Sequence, residues 1–217
     1  MTGFDAVIFD MDGVLVDGEP LHFETVNELL GREGKSISLD QYKPYMGTKT
    51  GWADMIADFG LSQPREYYSP IYRELVLARY RERSSALPGA LSIVTALRMS
   101  NQRLALASSS IRPWVEACLE KIGLGSAFEA IVTGSEIENG KPDPEIYLLA
   151  AEKLGVDPKR CLAFEDAPAG IESARRAGMT VWAVRTEYTR DLELPNPDRE
   201  FDSLADVDIR EIIGVAV

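Results

Sequence analysis

Histidine, cysteine and long apolar runs are almost missing from this 217-residue chain, and each shortage narrows what it can do. The single His22 excludes zinc sites built on several histidines, and any Ser-His-Asp mechanism would have to run through it. The two cysteines, Cys118 and Cys161, sit in apolar stretches and are expected as buried, reduced, small hydrophobes. No apolar run approaches the length needed to span a bilayer. The opening Met1-Thr2-Gly3-Phe4-Asp5 has no basic region before its apolar stretch, so no secretory signal and a cytoplasmic location are expected. Positive charge is also short: 23 Lys+Arg against 35 Asp+Glu give −12 at pH 7. Such a surface repels phosphate backbones and anionic lipid, so neither a nucleic-acid nor a membrane partner is expected. Nucleotide loops of the G-x-x-x-x-G-K-S/T or strand-linked G-x-G-x-x-G kind are absent, as are internal repeats.

What remains is the pattern of an α/β protein. Short, partly β-branched apolar runs occur at Ala6–Phe9, Leu104–Ala107, Ala130–Val132, Leu162–Phe164 and Val181–Val184, each reading as a buried strand. Helical patterns fall at about 89–99, 111–123, 144–154 and 167–177. Strands alternating with helices predict a doubly wound parallel sheet with helices on both faces. The interval 18–86 breaks the rhythm. Phe23, Val26, Leu29 and Leu30 have helical spacing, as do Ile71, Leu75 and Ala78, and nothing between them resembles a strand. The expected organisation is a core of residues 1–17 and 87–217 with an α-helical cap of 18–86, hinged at its two connections. Residues 186–203, with Pro195 and Pro197, read as a surface connection before a last helix near 204–213.

Four polar clusters follow these strands or precede helices: Asp10-Met11-Asp12-Gly13, Ser108-Ser109-Ser110, Gly140-Lys141-Pro142-Asp143, and Glu165-Asp166-Ala167-Pro168. Each alone has a bland explanation as a turn or a helix cap. Together, at the carboxyl ends of strands in one parallel sheet, they read as a site. Asp10, Asp12, Glu165 and Asp166 would repel one another unless a cation or protons intervene. An oxygen-rich donor set suits Mg2+, whose shell is usually completed by water and substrate phosphate. Ser108, with neighbouring Ser109 and backbone N–H groups, and Lys141 would hold phosphoryl oxygens. A carboxylate there can attack phosphorus, and a second one two residues on can protonate the leaving oxygen.

These motifs resemble the haloacid dehalogenase superfamily, in the subgroup with a helical cap after the first strand and closest to β-phosphoglucomutase-like phosphatases. The likeness covers about Ala6 to Val184. It rests on Asp10-x-Asp12-Gly13 after a strand, Ser108 ending another, Lys141 before Pro142, and Glu165-Asp166 before a small-residue turn ending in Gly170. It implies Asp10 as nucleophile and Asp12 as general acid/base. Mg2+ would be held by Asp10, the Asp12 main-chain carbonyl and Asp166, with Glu165 bound directly or through water. Ser108 and Lys141 would bind the phosphoryl group. His22 falls where mutase relatives link cap closure to proton transfer, and Lys49, in Met46-Gly47-Thr48-Lys49-Thr50, where the cap loop selects substrate. Gly18 departs from the Ser or Thr of many relatives. The expectation is a Mg2+-dependent phosphatase of small phosphorylated metabolites, sugar phosphates foremost, acting as a monomer on a small phosphate ester. A phosphomutase of the β-phosphoglucomutase kind is the close alternative; a phospho-acceptor or non-catalytic binding domain is the alternative of a different class.

Overall fold

The computed structural model describes residues 3–45 and 51–215, with side chains described outside 51–53. The chain runs β1 (Ala6–Phe9), α1 (Glu19–Gly31), α2 (Leu39–Tyr42), α3 (Gly51–Asp58), α4 (Arg65–Arg83) and α5 (Ala90–Met99). It continues with β2 (Arg103–Ser108), α6 (Arg112–Lys121), β3 (Ala130–Thr133), α7 (Glu145–Leu154), β4 (Cys161–Glu165), α8 (Pro168–Arg176), β5 (Thr180–Val184), β6 (Arg199–Phe201) and α9 (Ile209–Ile213). The six strands form one sheet in the order β3-β2-β1-β4-β5-β6, all pairings parallel. Chain order reverses direction beside β1, so the crevice at the carboxyl ends of β1, β2 and β4 is where such a sheet binds ligands.

Side chains alternate along each strand, and here the two faces differ in bulk. Val7, Phe9, Leu104, Leu106, Leu162 and Phe164 belong to one core, against Val94 and Leu97 of α5 and Val115 and Leu119 of α6. Ala6, Ile8, Ala105, Ala107 and Ala163 belong to the other, where small residues admit Ile146 and Ala150 of α7 and Ile171 and Ala174 of α8. Strands buried on both faces read as continuous apolar runs, which is why they were visible in the sequence. One strand was not: β6 lies inside the expected surface connection. Arg199-Glu200-Phe201 is short, half polar and paired only to β5 at the sheet edge, so it carries no apolar run to detect. The last helical stretch is also divided, into a 3-10 turn at Leu204–Asp206 and the short α9.

Residues between β1 and β2 are helical through α4, with a small core of their own around Val26, Leu30, Ile37, Tyr42 and Met55. Ion pairs of Arg79 with Glu28 at 2.7 Å and Arg83 with Glu24 at 2.5 Å join α4 to α1. The segments entering and leaving this insertion lie side by side: Leu87 N–H donates to Leu15 O at 2.9 Å, and Val16 and Ala86 form an antiparallel bridge. Among the described residues no helix is long and apolar enough to cross a membrane.

Candidate active site

Each polar cluster singled out above contributes residues to one cavity. It has a volume of about 620 Å³ and lies between the carboxyl ends of the strands and the helical insertion. Asp10, Asp12, His22, Ser108, Ser109, Lys141, Glu165 and Asp166 all line it. Lys49 lies outside the described residues. The helix-cap explanation fails for two clusters. Helix α6 starts at Arg112, after Ile111, with no side-chain cap, and the Ser110 hydroxyl instead donates to Asp12 Oδ2 at 3.1 Å. Helix α8 starts without a side-chain cap as well, so Asp166 is not there to begin it.

Asp10 leaves β1 with its backbone N–H on Phe164 O at 3.0 Å, which keeps it in register with β4. Lys141 reaches the centre from the loop before α7. Its Nζ donates to Asp10 Oδ1 at 2.5 Å, Glu165 Oε1 at 2.6 Å and Ala107 O at 3.2 Å. Glu165 is fully occupied: Tyr147 OH also donates to Oε1 at 2.8 Å, and the N–H groups of Asp166 and Ala167 donate to Oε2. Asp12 sits in the turn after β1. Gly13 holds φ +84°, and a Cβ there would lie 2.1 Å from Asp166 Oδ2. Only glycine lets this turn bend left-handed and Asp166 come this close.

The family model for haloacid dehalogenase-like hydrolases matches residues 4–178. The chain belongs to that family. YhcW of Bacillus subtilis (strain 168) is 35% identical over 207 residues, 94% of each chain. The phosphorylated carbohydrates phosphatase of Thermotoga maritima is 34% identical, over 81% of this chain and 82% of its own. CbbY from Rhodobacter sphaeroides, solved in complex with phosphate, superposes with a TM-score of 0.83 at 30% identity, covering 94% of this chain and 96% of that one.

The electrostatics of the hydrolase site are those of an acid cluster short of positive charge. Carboxylate oxygens of Asp10, Glu165 and Asp166, all buried, lie within 4.8 Å of one another. Burial, reinforced by Glu165 and Asp12, pushes Asp10 up to about 8 even against the pull of Lys141. Asp166 is raised well above the usual carboxylate range by burial, then by Glu165 and Asp10. Burial works against the Lys141 charge, but Asp10 and Glu165 outweigh it and hold its pKa above the ordinary lysine value. A donor set of oxygens alone, with raised pKa values and one ammonium among three acids, fits a hard divalent cation. Asp10 Oδ2 and the Asp166 carboxylate accept no hydrogen bond among the described residues, unlike Glu165, so those two are the acids open to a cation.

Several residues of this site had no sequence signal. Tyr147, six residues after Lys141, and Tyr80, in the last turn of α4, look like ordinary core aromatics in a helical pattern. Tyr80 OH nevertheless donates to Asp12 Oδ1 at 2.6 Å and lies 2.8 Å from His22 Nε2, so Tyr80 links His22 to Asp12. Lys43, Arg65 and Arg73 line the insertion side of the cavity, where His22 and Lys49 were expected. Glu19 lines it too, held by Tyr42 OH at 3.2 Å, and burial with the nearby Asp12 charge pushes it up to about 8.

Proposed function

We propose that this hydrolase is a magnesium-dependent phosphatase of small phosphorylated sugars that works through an aspartyl phosphate on Asp10. The observation that carries the reading is the placement of Asp10. Its carboxylate is held by Lys141 at 2.5 Å on the floor of a cavity into which Asp12, Ser108 and the Glu165–Asp166 pair also face. Asp10 attacks phosphorus while Asp12 gives its proton to the departing ester oxygen; Asp12 then takes a proton from the water that releases phosphate. Lys141 and the hydroxyls of Ser108 and Ser109 hold the phosphoryl oxygens. Glu165 spends its oxygens on Lys141, Tyr147 and backbone N–H groups, so it fixes Lys141 in place and leaves Asp10 and Asp166 as the acids that would hold a metal. Mg2+, held by Asp10, Asp166 and the Asp12 main-chain carbonyl, would neutralise charge on the phosphoryl group. Residues 18–86 act as a cap that excludes water, turning on the paired connections around Val16 and Ala86.

The reading is tested by phosphate release from a panel of sugar phosphates, nucleotides and phosphoglycolate, with Mg2+ and with chelator. Release from sugar phosphates, lost on chelation, is the expected result. No release, together with conversion of glucose 1-phosphate to glucose 6-phosphate primed by a bisphosphate, would replace it with the mutase.

Metal should also show in stability. Carboxyl groups with raised folded pKa values stabilise the protein below the ordinary value of 3.8 and lose that contribution as pH rises through about 8. Protein in chelator should therefore lose this part of its stability from pH 5 to pH 8. Mg2+, which takes the place of those protons, should raise Tm more at the upper end. Melting curves across that range decide it; a Mg2+ effect that shrinks with pH would contradict the assignment of the cluster.

The cations on the cap side should act on binding and not on chemistry. Arg65→Ala is expected to raise KM about tenfold for sugar phosphates carrying a second anionic group, with kcat little changed, because the contact is the same in ground and transition state. Equal loss in kcat would place Arg65 nearer the reacting centre.

A further inference from the structure

A chain of hydrogen bonds leads from Asp12 into the helical insertion. Tyr80 OH is 2.6 Å from Asp12 Oδ1 and 2.8 Å from His22 Nε2, and His22 Nδ1 is 2.7 Å from Tyr72 OH. Donor accounting gives the chain a direction. An ionised Asp12 only accepts, so the one Tyr80 proton goes to Oδ1, and the Tyr80 oxygen accepts from His22 Nε2–H. Burial lowers the His22 pKa against the pull of Asp12, so the ring is neutral and carries a single N–H. Its Nδ1 then accepts from Tyr72, and every donor in the chain points toward Asp12. Trp114 of α6 secures the chain. Its ring lies 5.5 Å from His22 and 5.8 Å from Tyr72, and its Nε1 donates to Arg73 O at 3.0 Å.

Gly18 supplies a second, independent observation. Its φ of −87° is open to any residue, so backbone conformation does not require glycine there. Space does. A Cβ at this position would lie 1.9 Å from Asp12 Oδ1 and 2.9 Å from the Tyr80 hydroxyl. The missing side chain is the room in which Tyr80 and Asp12 meet.

We propose that Tyr80 is a positioning residue for proton transfer: it commits Asp12 Oδ1 as an acceptor, so that the exchanging proton resides on Oδ2, whose partner, the Ser110 hydroxyl at 3.1 Å, can turn from donor to acceptor as Tyr80 cannot. The inference rests on the phosphatase reading above. In the first step the Oδ2–H bond breaks and the proton goes to the ester oxygen, which keeps the electron pair of its broken bond to phosphorus. In the second, Oδ2 takes a proton from water as the water oxygen bonds to phosphorus and the Asp10–phosphorus bond opens. The Tyr80–Asp12 hydrogen bond neither gains nor loses a proton in either step.

The test compares kcat/KM for a sugar phosphate and for p-nitrophenyl phosphate, whose leaving group departs without a proton. Tyr80→Phe should lose at least ten times more on the sugar ester than on the aryl ester, and it should add no further loss in an Asp12→Asn background. Tyr80 is fully buried, so Gly18→Ala serves as a companion that displaces Asp12 without deleting a buried hydroxyl; the same leaving-group split is expected. Equal losses on both esters, or a Tyr80 effect that persists without the Asp12 carboxylate, would overturn the positioning role while leaving the phosphatase intact. Wild-type protein that turned over neither ester with Mg2+ would overturn the phosphatase reading, and this inference with it.

Discussion

Asp10→Asn protein should fold, bind phosphate esters and release no phosphate. The amide keeps the size of the carboxylate but has no electron pair basic enough to displace an alkoxide from phosphorus, so a loss of at least about 10⁴-fold is expected, in line with removal of a covalent nucleophile. Stability should move the other way from activity. Asp10 is one of three buried acids around a single ammonium, and burial with its acidic neighbours already raises its pKa to about 8. Where Asp10 is ionised, above about pH 8, the amide removes one of those charges and relieves repulsion, and Lys141 keeps Glu165 at 2.6 Å. In chelator the variant should therefore melt no lower than wild type, whereas in Mg2+ the gain in Tm should shrink because a ligand is gone. Acid-quenched wild type incubated with substrate should carry one phosphoryl group on the peptide containing Asp10, and the variant none. Turnover retained in Asp10→Asn would remove the nucleophile assignment outright.

The parts of this architecture legible in the sequence are those whose signal is local. Ala6-Val7-Ile8-Phe9 ending at Asp10 shows a buried strand and a strand-end acid in five consecutive residues, and the order of such pairs along the chain implies the sheet. Lys141 stands out because a lone basic residue precedes two prolines in a strand-end loop. What joins these groups is not local. Tyr80 meets Asp12 across 68 positions and His22 meets Tyr72 across 50, so neither contact leaves a trace in spacing. Tyr147 is a further case: on α7 it fits the apolar stripe with Ile146 and Ala150, and only the structure shows its hydroxyl on Glu165. The cap-side cations escaped for a similar reason. Lys43, Arg65 and Arg73 are ordinary surface residues of their own helices until the fold turns them onto one wall. Gly18 was visible as a departure from the family pattern, but its physical meaning needed the position of Asp12 beside it.

Asp12 offers the sharper of the two large effects, because activity and stability can be separated by the choice of substitution. Both Asp12→Ala and Asp12→Asn delete the group that protonates the leaving oxygen and activates water. Each should lose on the order of 10²–10⁴-fold in kcat/KM on sugar phosphates, the range for general acid/base catalysis. Their structural consequences differ. Asp12 accepts from Tyr80 at Oδ1 and from Ser110 at Oδ2, and Tyr80 is fully buried. Asparagine keeps an acceptor oxygen for Tyr80 and offers its NH2 to the Ser110 hydroxyl, so the network closes. Alanine leaves the buried Tyr80 hydroxyl without its acceptor, which costs about 1–3 kcal/mol. The Ala variant should therefore melt below wild type and the Asn variant close to it, while their losses on sugar phosphates stay within the same range. On p-nitrophenyl phosphate both should recover much of kcat/KM, since that leaving group needs no proton. A uniform loss on both esters would assign proton delivery to water or to another group, and Asp12 would then be a structural acid whose main-chain carbonyl is its only link to the chemistry.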